Sequence, residues 1–143
     1  MSLANVLLVD DEVPFVETMT KRLNKRDINI IAAHSGLEAL DFLEQNQSIE
    51  VVILDVKMPG MDGMDTLEAI RKRYPLVEVI MLTGHATVES GIDGMKMGAF
   101  DYLMKPCDMD ILVSKVGEAV AKKKQHEEKI IAARVKEITS RRP

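Results

Sequence analysis

Val51-Val52-Ile53-Leu54-Asp55-Val56-Lys57-Met58-Pro59-Gly60 reads as a buried strand that ends at a carboxylate and runs into a turn. Its apolar part has no polar alternation and is rich in β-branched residues, as expected of a strand covered on both faces. The same event recurs along the chain. Residues 5–9 stop at Asp10 and Asp11, residues 77–82 stop at Thr83, and residues 100–104 stop at Lys105. The strands read from these runs are Val6-Leu7-Leu8-Val9, Ile28-Asn29-Ile30-Ile31, Val51-Val52-Ile53-Leu54, Val77-Glu78-Val79-Ile80 and, nearer an edge, Phe100-Asp101-Tyr102-Leu103.

Stretches of helix length separate the runs. Residues 13–26 carry Val13, Val16, Met19, Thr20 and Leu23 at helical spacing, and Leu37, Leu40 and Leu43 mark a second helix after Ser35. Residues 64–74 turn Leu67 and Ile70 inward and close on Arg71-Lys72-Arg73, where cations favour the helix dipole. Such alternation predicts repeated βα units and hence a doubly wound α/β fold with a parallel sheet. All strands of a parallel sheet point one way, so Asp10, Asp11, Asp55, Thr83 and Lys105 meet at one edge. Binding sites in these sheets lie beyond the carboxyl ends of the strands. Those residues are therefore the candidate site.

The 143 residues are one domain long, with residues 1–121 enough for a compact core and residues 122–143 left as a helical extension or linker. No second folded module is expected. A composition of 46% hydrophobic and 29% charged residues is that of a soluble globular chain, with no run of membrane-span or secretory length, so a cytoplasmic location is the expectation. The single cysteine, Cys107, has no partner for a disulfide or a structural zinc site and reads as a packing residue. The net charge of -4 divides into -9 on residues 1–121 and +5 on residues 122–143. A basic tail can signal nucleic-acid contact, but Glu127, Glu128 and Glu137 interrupt this one and no recognition-helix pattern accompanies it, so it reads as a solvated helix.

Converging carboxylates repel, by about 1 kcal/mol per close pair in water and about 4 kcal/mol near a protein surface. A cation must offset this. Hard oxygen donors with open positions suit Mg²⁺, which binds one or two carboxylates together with a phosphate. Lys105 adds a fixed positive charge, and Thr83 a hydroxyl able to donate to a phosphoryl oxygen. Asp55 stands alone at the end of its run and reads as the nucleophile, while Asp10 and Asp11 form a pair suited to the metal. An aspartyl phosphate is the expected intermediate. Taken singly, Asp10 or Asp11 would serve equally as a helix N-cap.

Asp10-Asp11, the stretch Leu54-Asp55-Val56-Lys57-Met58-Pro59-Gly60-Met61-Asp62-Gly63, Thr83-Gly84 and Lys105-Pro106 together resemble the receiver domain of two-component response regulators. The resemblance covers residues 4 to about 121 and rests on four separated elements in order. It implies a flavodoxin-like, five-stranded parallel sheet in the order 2-1-3-4-5, followed by an extended C-terminal helix. It further implies that Asp55 accepts a phosphoryl group from a sensor histidine kinase, that Asp11 binds Mg²⁺ directly and Asp10 through water, and that the backbone carbonyl of Lys57 completes the protein ligands. Thr83 and Lys105 would contact the phosphoryl oxygens, the Lys105-Pro106 bond would be cis, and Thr83 and Tyr102 would form the switch that moves the surface made by the fourth helix, the fifth strand and the fifth helix. Lys57 and His85 occupy positions expected to tune the lifetime of the phosphoryl group. The protein is then a signalling module whose only chemistry is its own phosphorylation and slow dephosphorylation.

Leu82-Thr83-Gly84-His85-Ala86-Thr87-Val88 and Gly98-Ala99-Phe100-Asp101-Tyr102-Leu103 are most similar to receivers of ATPase-type, sigma-factor-activating transcriptional regulators. No nucleotide-binding G-x-x-x-x-G-K-[ST] loop and no DNA-reading helix pair occur in this chain, so direct nucleic-acid binding is not expected. Both a free-standing receiver and a fragment ending in a linker helix fit. Gly91 and Gly94 weaken the helix expected over residues 86–97, which marks it as a mobile element. Asp108 opens the last helix, with Ile111, Leu112, Val116 and Val120 inward, and Ile131, Val135 and Ile138 resume an apolar stripe beyond it. A homodimer through that helix or through the surface of the fourth helix, fifth strand and fifth helix is the expectation. An aspartyl-phosphate-forming phosphatase is the alternative, but its nucleophile would end the first strand with a second Asp two residues on. A flavin-binding protein of the same topology would need a Ser, Thr or Gly loop where this chain has acids.

Overall fold

The computed structural model describes residues 3–58, 60–84 and 87–140. Strands β1 (Ala4–Val9), β2 (Ile28–Ala33), β3 (Val51–Leu54), β4 (Glu78–Thr83) and β5 (Asp101–Met104) alternate with helices α1 (Val13–Asn24), α2 (Gly36–Gln45), α3 (Gly63–Arg73), α4 (Val88–Lys96) and α5 (Met109–Ser140). The strands form one parallel sheet, as the alternation of runs predicts, in the order β2-β1-β3-β4-β5 that the family resemblance implies. Register aligns the strand ends: Val9 stands opposite Leu54, and Leu54 opposite Met81. Pairing continues one residue further. Asp10 N–H donates to Ala33 O, Asp55 N–H to Val9 O and Lys105 N–H to Thr83 O, so the residues that end the runs are fixed by the ladder itself.

Strand side chains alternate between two apolar layers. Leu7, Val9, Val52, Leu54, Val79 and Met81 pack with Leu40, Leu43, Leu67 and Ile70 of α2 and α3. Val6, Leu8, Val51, Ile53, Ile80 and Leu82 pack with Val16, Met19 and Leu23 of α1 and Leu112, Val116 and Val120 of α5. Each such aliphatic side chain contributes about 1.5–3 kcal/mol by leaving water. Helices α2, α3 and α4 begin at side-chain caps: Ser35 accepts from Glu38 N–H, Asp62 from Asp65 N–H, and Thr87 forms a reciprocal capping box with Ser90.

Three apolar side chains that mark these helices in the sequence, Ile111 among them expected inward, lie at the surface. Val13 is 47%, Leu37 65% and Ile111 52% exposed. Val13 opens α1 at the rim, before the buried stripe begins at Val16. The face of α2 against the core is made by Ala39, Leu40 and Leu43, with Gly36 pressed against Thr66, which turns Leu37 outward. Ile111 lies one position off the Leu112, Val116, Ala119 stripe, and a step of one residue rotates a helix by about 100°. The last helix runs unbroken to Ser140, and beyond Val120 none of its described residues is buried. No helix among the described residues is long and apolar enough to cross a membrane.

Candidate functional site

At the carboxyl edge of the sheet, one carboxylate oxygen from each of Asp10, Asp11 and Asp55 lies within 4.8 Å of the others. Asp10 and Asp55 are buried and Asp11 is exposed. Asp10 is held at several points. Its Oδ1 accepts from Glu12 N–H at 2.9 Å, its carbonyl is 3.2 Å from His34 Nδ1, and its Oδ2 accepts from Lys105 Nζ at 2.6 Å. Neither Asp10 nor Asp11 is an N-cap: that position of α1 belongs to Glu12, whose side chain makes no cap bond.

Asp55 is held less completely. Its Oδ2 is 3.9 Å from Lys105 Nζ, and its buried Oδ1 has no hydrogen-bond partner among the described residues. A buried carboxylate oxygen without a donor costs about 1–3 kcal/mol or more. With two further carboxylates beside it, this donor set fits a hard divalent cation. Lys57 and Asp62 line the cleft that opens over Asp11 and Asp55. Gly63 closes the loop beneath it: a Cβ there would lie 2.0 Å from Asp55 O and 2.5 Å from Val56 Cα, so only glycine lets α3 start so close to the acid.

Lys105 follows β5 and precedes a cis bond to Pro106. Besides Asp10 it donates to Glu12 Oε1 at 3.2 Å, and its Nζ lies 3.9 Å from the centroid of the Phe15 ring. Burial draws its pKa down, but the hydrogen bond it donates to Asp10 and the charges of Asp10 and Asp55 outweigh burial and raise it. For Asp10 the balance is reversed: burial, with the Asp55 charge, raises its pKa against the lowering by Lys105 and the Glu12 N–H. Thr83, fully buried, ends β4 beside the cluster.

Tyr102 sits apart from the acids. It pairs with Met81, two residues before the end of β4, and its hydroxyl is 2.7 Å from Ser90 Oγ of α4. Its ring faces Gly91 and Gly94, where added Cβ atoms would lie 3.6 and 3.5 Å from it. Around it Val88, Ile92, Met95 and Met104 are exposed, an apolar surface on α4 and β5. His85 lies outside the described residues. The edge thus gathers Asp10, Asp11, Asp55 and Lys105, with Thr83 at the end of the adjoining strand. Glu12, Phe15, His34 and Gly63 were not singled out from sequence.

The pattern of the family described as response regulator receiver domain matches residues 6–117. The chain belongs to this family. An NtrX-like response regulator of Rickettsia bellii (strain RML369-C) is 42% identical over 115 residues, which are 79% of this chain and 24% of that protein. The transcriptional regulatory protein ZraR of Escherichia coli (strain K12) is 34% identical over 117 residues, 82% of this chain and 26% of that protein. A response regulator receiver domain of Clostridium thermocellum superposes with a TM-score of 0.81 at 38% identity, covering 85% of this chain and 98% of that one. The receiver therefore spans about a quarter of the length of the curated relatives it matches. Its kinship with receivers of ATPase-type transcriptional regulators agrees with the sequence motifs, and its place in a two-component signalling family disfavours the phosphatase alternative.

Proposed function

We propose that this receiver takes a phosphoryl group from a sensor histidine kinase onto Asp55. One Asp55 oxygen forms the new bond to phosphorus while the bond from phosphorus to the donor imidazole breaks, its electron pair staying on the ring nitrogen. Asp10, Asp11, Asp55 and the backbone carbonyl of Lys57 would hold Mg²⁺. When bound, Mg²⁺ supplies neutralising charge and orients the phosphoryl oxygens. Lys105 and Thr83 donate to those oxygens, whose charge of roughly -1.5 to -2 gives both residues a stronger partner. The observation that carries this reading is the buried Asp55 Oδ1, without a donor among the described residues, inside a cluster of three carboxylates and beside the Lys105 ammonium.

The switch follows from the same chemistry. Thr83 drawn toward the phosphoryl group leaves space for Tyr102, and reorientation of Tyr102 gives up its contact with Ser90 and reshapes the apolar surface of Val88, Ile92, Met95 and Met104. That α4-β5-α5 surface, or the Ile131, Val135 and Ile138 stripe of α5, pairs two copies. Residues 1–121 act as the phosphorylated body and residues 122–143 as a helical linker, with output through protein contacts rather than direct nucleic-acid binding. The protein works in the cytoplasm, and its only catalysis is its own phosphorylation and slow dephosphorylation, with Lys57 and His85 setting the lifetime. The test is incubation with acetyl phosphate in the presence or absence of a magnesium chelator. A hydroxylamine-labile phosphoryl group that forms only without chelator supports the reading, and formation that ignores the chelator contradicts the metal assignment.

A further inference from the structure

Glu12 has no role in the chemistry above, yet its carboxylate is one of two that bind Lys105. As the N-cap residue of α1, Glu12 would ordinarily turn its side chain to the free N–H groups of the first turn, but it makes no cap bond and reaches to Lys105 instead. Phe15, one turn on, presents its ring 3.9 Å from the same Nζ. Ring faces attract ammonium groups within about 6 Å. Asp10, Glu12 and Phe15 therefore surround the ammonium on the α1 side, while Asp55 Oδ2, at 3.9 Å, is beyond hydrogen-bond distance.

We propose that Glu12 and Phe15 are positioning residues that park the Lys105 ammonium beside Asp10 and away from Asp55, so that Lys105 reaches an incoming phosphoryl group only by giving up the Glu12 carboxylate. The proposal rests on the phosphoacceptor reading of Asp55. Glu12 is 60% exposed on its side chain, so water replaces Lys105 readily and the parking contact is weak enough to be exchanged. Removing it speeds the reaction, because the phosphoryl group then competes for the ammonium with one carboxylate, Asp10, rather than two.

Two measurements test this. Phosphorylation by acetyl phosphate at saturating Mg²⁺ is followed by intact mass for the parent, Glu12→Gln, Lys105→Met and the double variant. Glu12→Gln is expected to raise the rate about two- to five-fold, the range open to an exposed ion pair, and to change nothing in the Lys105→Met background. In metal-free protein, the ε-methylene protons of Lys105 should resonate upfield because of the Phe15 ring, and Glu12→Gln should reduce that displacement while Phe15→Leu abolishes it. A rate that is unchanged or lowered by Glu12→Gln, an acceleration that persists without Lys105, or ε-methylene protons at the ordinary lysine position overturns the proposal and leaves the phosphoacceptor reading standing. A parent that acquires no phosphoryl group removes that reading and this proposal together.

Discussion

Opposing forces meet at Lys105, where burial favours the neutral amine while Asp10 and Asp55 favour the ammonium and prevail. A lysine whose folded pKa is raised binds its proton more tightly folded than unfolded. Its stabilisation is complete below the ordinary value of 10.5 and is lost as pH rises through the higher folded value. Urea midpoints of the parent should therefore fall more steeply than those of Lys105→Met above that pH, and parallel curves would contradict the pairing. Gly63 makes a steric prediction. A methyl group at 2.0 Å from Asp55 O forces backbone to move, so Gly63→Ala should lose about 2 kcal/mol or more in urea unfolding, and a loss below about 0.5 kcal/mol would show that the loop yields. Asp10, Asp11, Asp55, Thr83 and Lys105 were legible in the sequence because each ends an apolar run and parallel strands bring such ends together. Glu12, Phe15, His34 and Gly63 were not, because their roles arise from contacts between elements that no spacing records.

Helix α4 is bounded by a good cap yet buries only Gly94 among its residues, so little packing holds it to the sheet. Gly91 and Gly94 weaken it further and leave room for the Tyr102 ring. That room is not tight: a Cβ at Gly94 would meet Tyr102 Cδ2 at 3.5 Å and Met81 Cγ at 3.9 Å, ordinary contact distances. Gly94→Ala should accordingly stabilise the protein by about 0.5–1 kcal/mol and slow amide exchange across α4, measured by urea unfolding and hydrogen exchange. A destabilised variant would mean that Tyr102 needs more space than the contacts indicate. At this scale the sequence was read well for strands, whose apolar runs are bounded by polar stops. Helix faces were less legible, since Leu37 and Ile111 each neighbour a buried position, Val13 precedes the buried stripe, and spacing alone cannot rank nearby apolar residues.

Across the whole molecule, β4 joins the two ends of the sheet. Thr83 closes its acidic edge, and at the other edge Glu78, buried, accepts from Arg71 of α3 at 3.3 Å and lies 3.6 Å from Lys122 of α5. Lys115 adds a 3.0 Å pair to Asp101 of β5, so α5 is anchored to the sheet by ion pairs as well as by Leu112, Val116 and Val120. Beyond that anchor Ile131, Val135 and Ile138 are exposed, as are Val88, Ile92 and Met104 on the α4 and β5 side. Burying such surfaces between two copies predicts that phosphorylation shifts sedimentation toward a dimer at high micromolar concentration. A monomer in both states would contradict pairing. Every step of this account passes through Asp55, so the most direct measurement is the intact mass of parent and Asp55→Ala after incubation with acetyl phosphate and Mg²⁺, with the modified peptide located by fragmentation. The account predicts a gain of one phosphoryl group in the parent, on the peptide containing Asp55, and none in the variant. No gain in the parent, or a gain that survives Asp55→Ala, would contradict it.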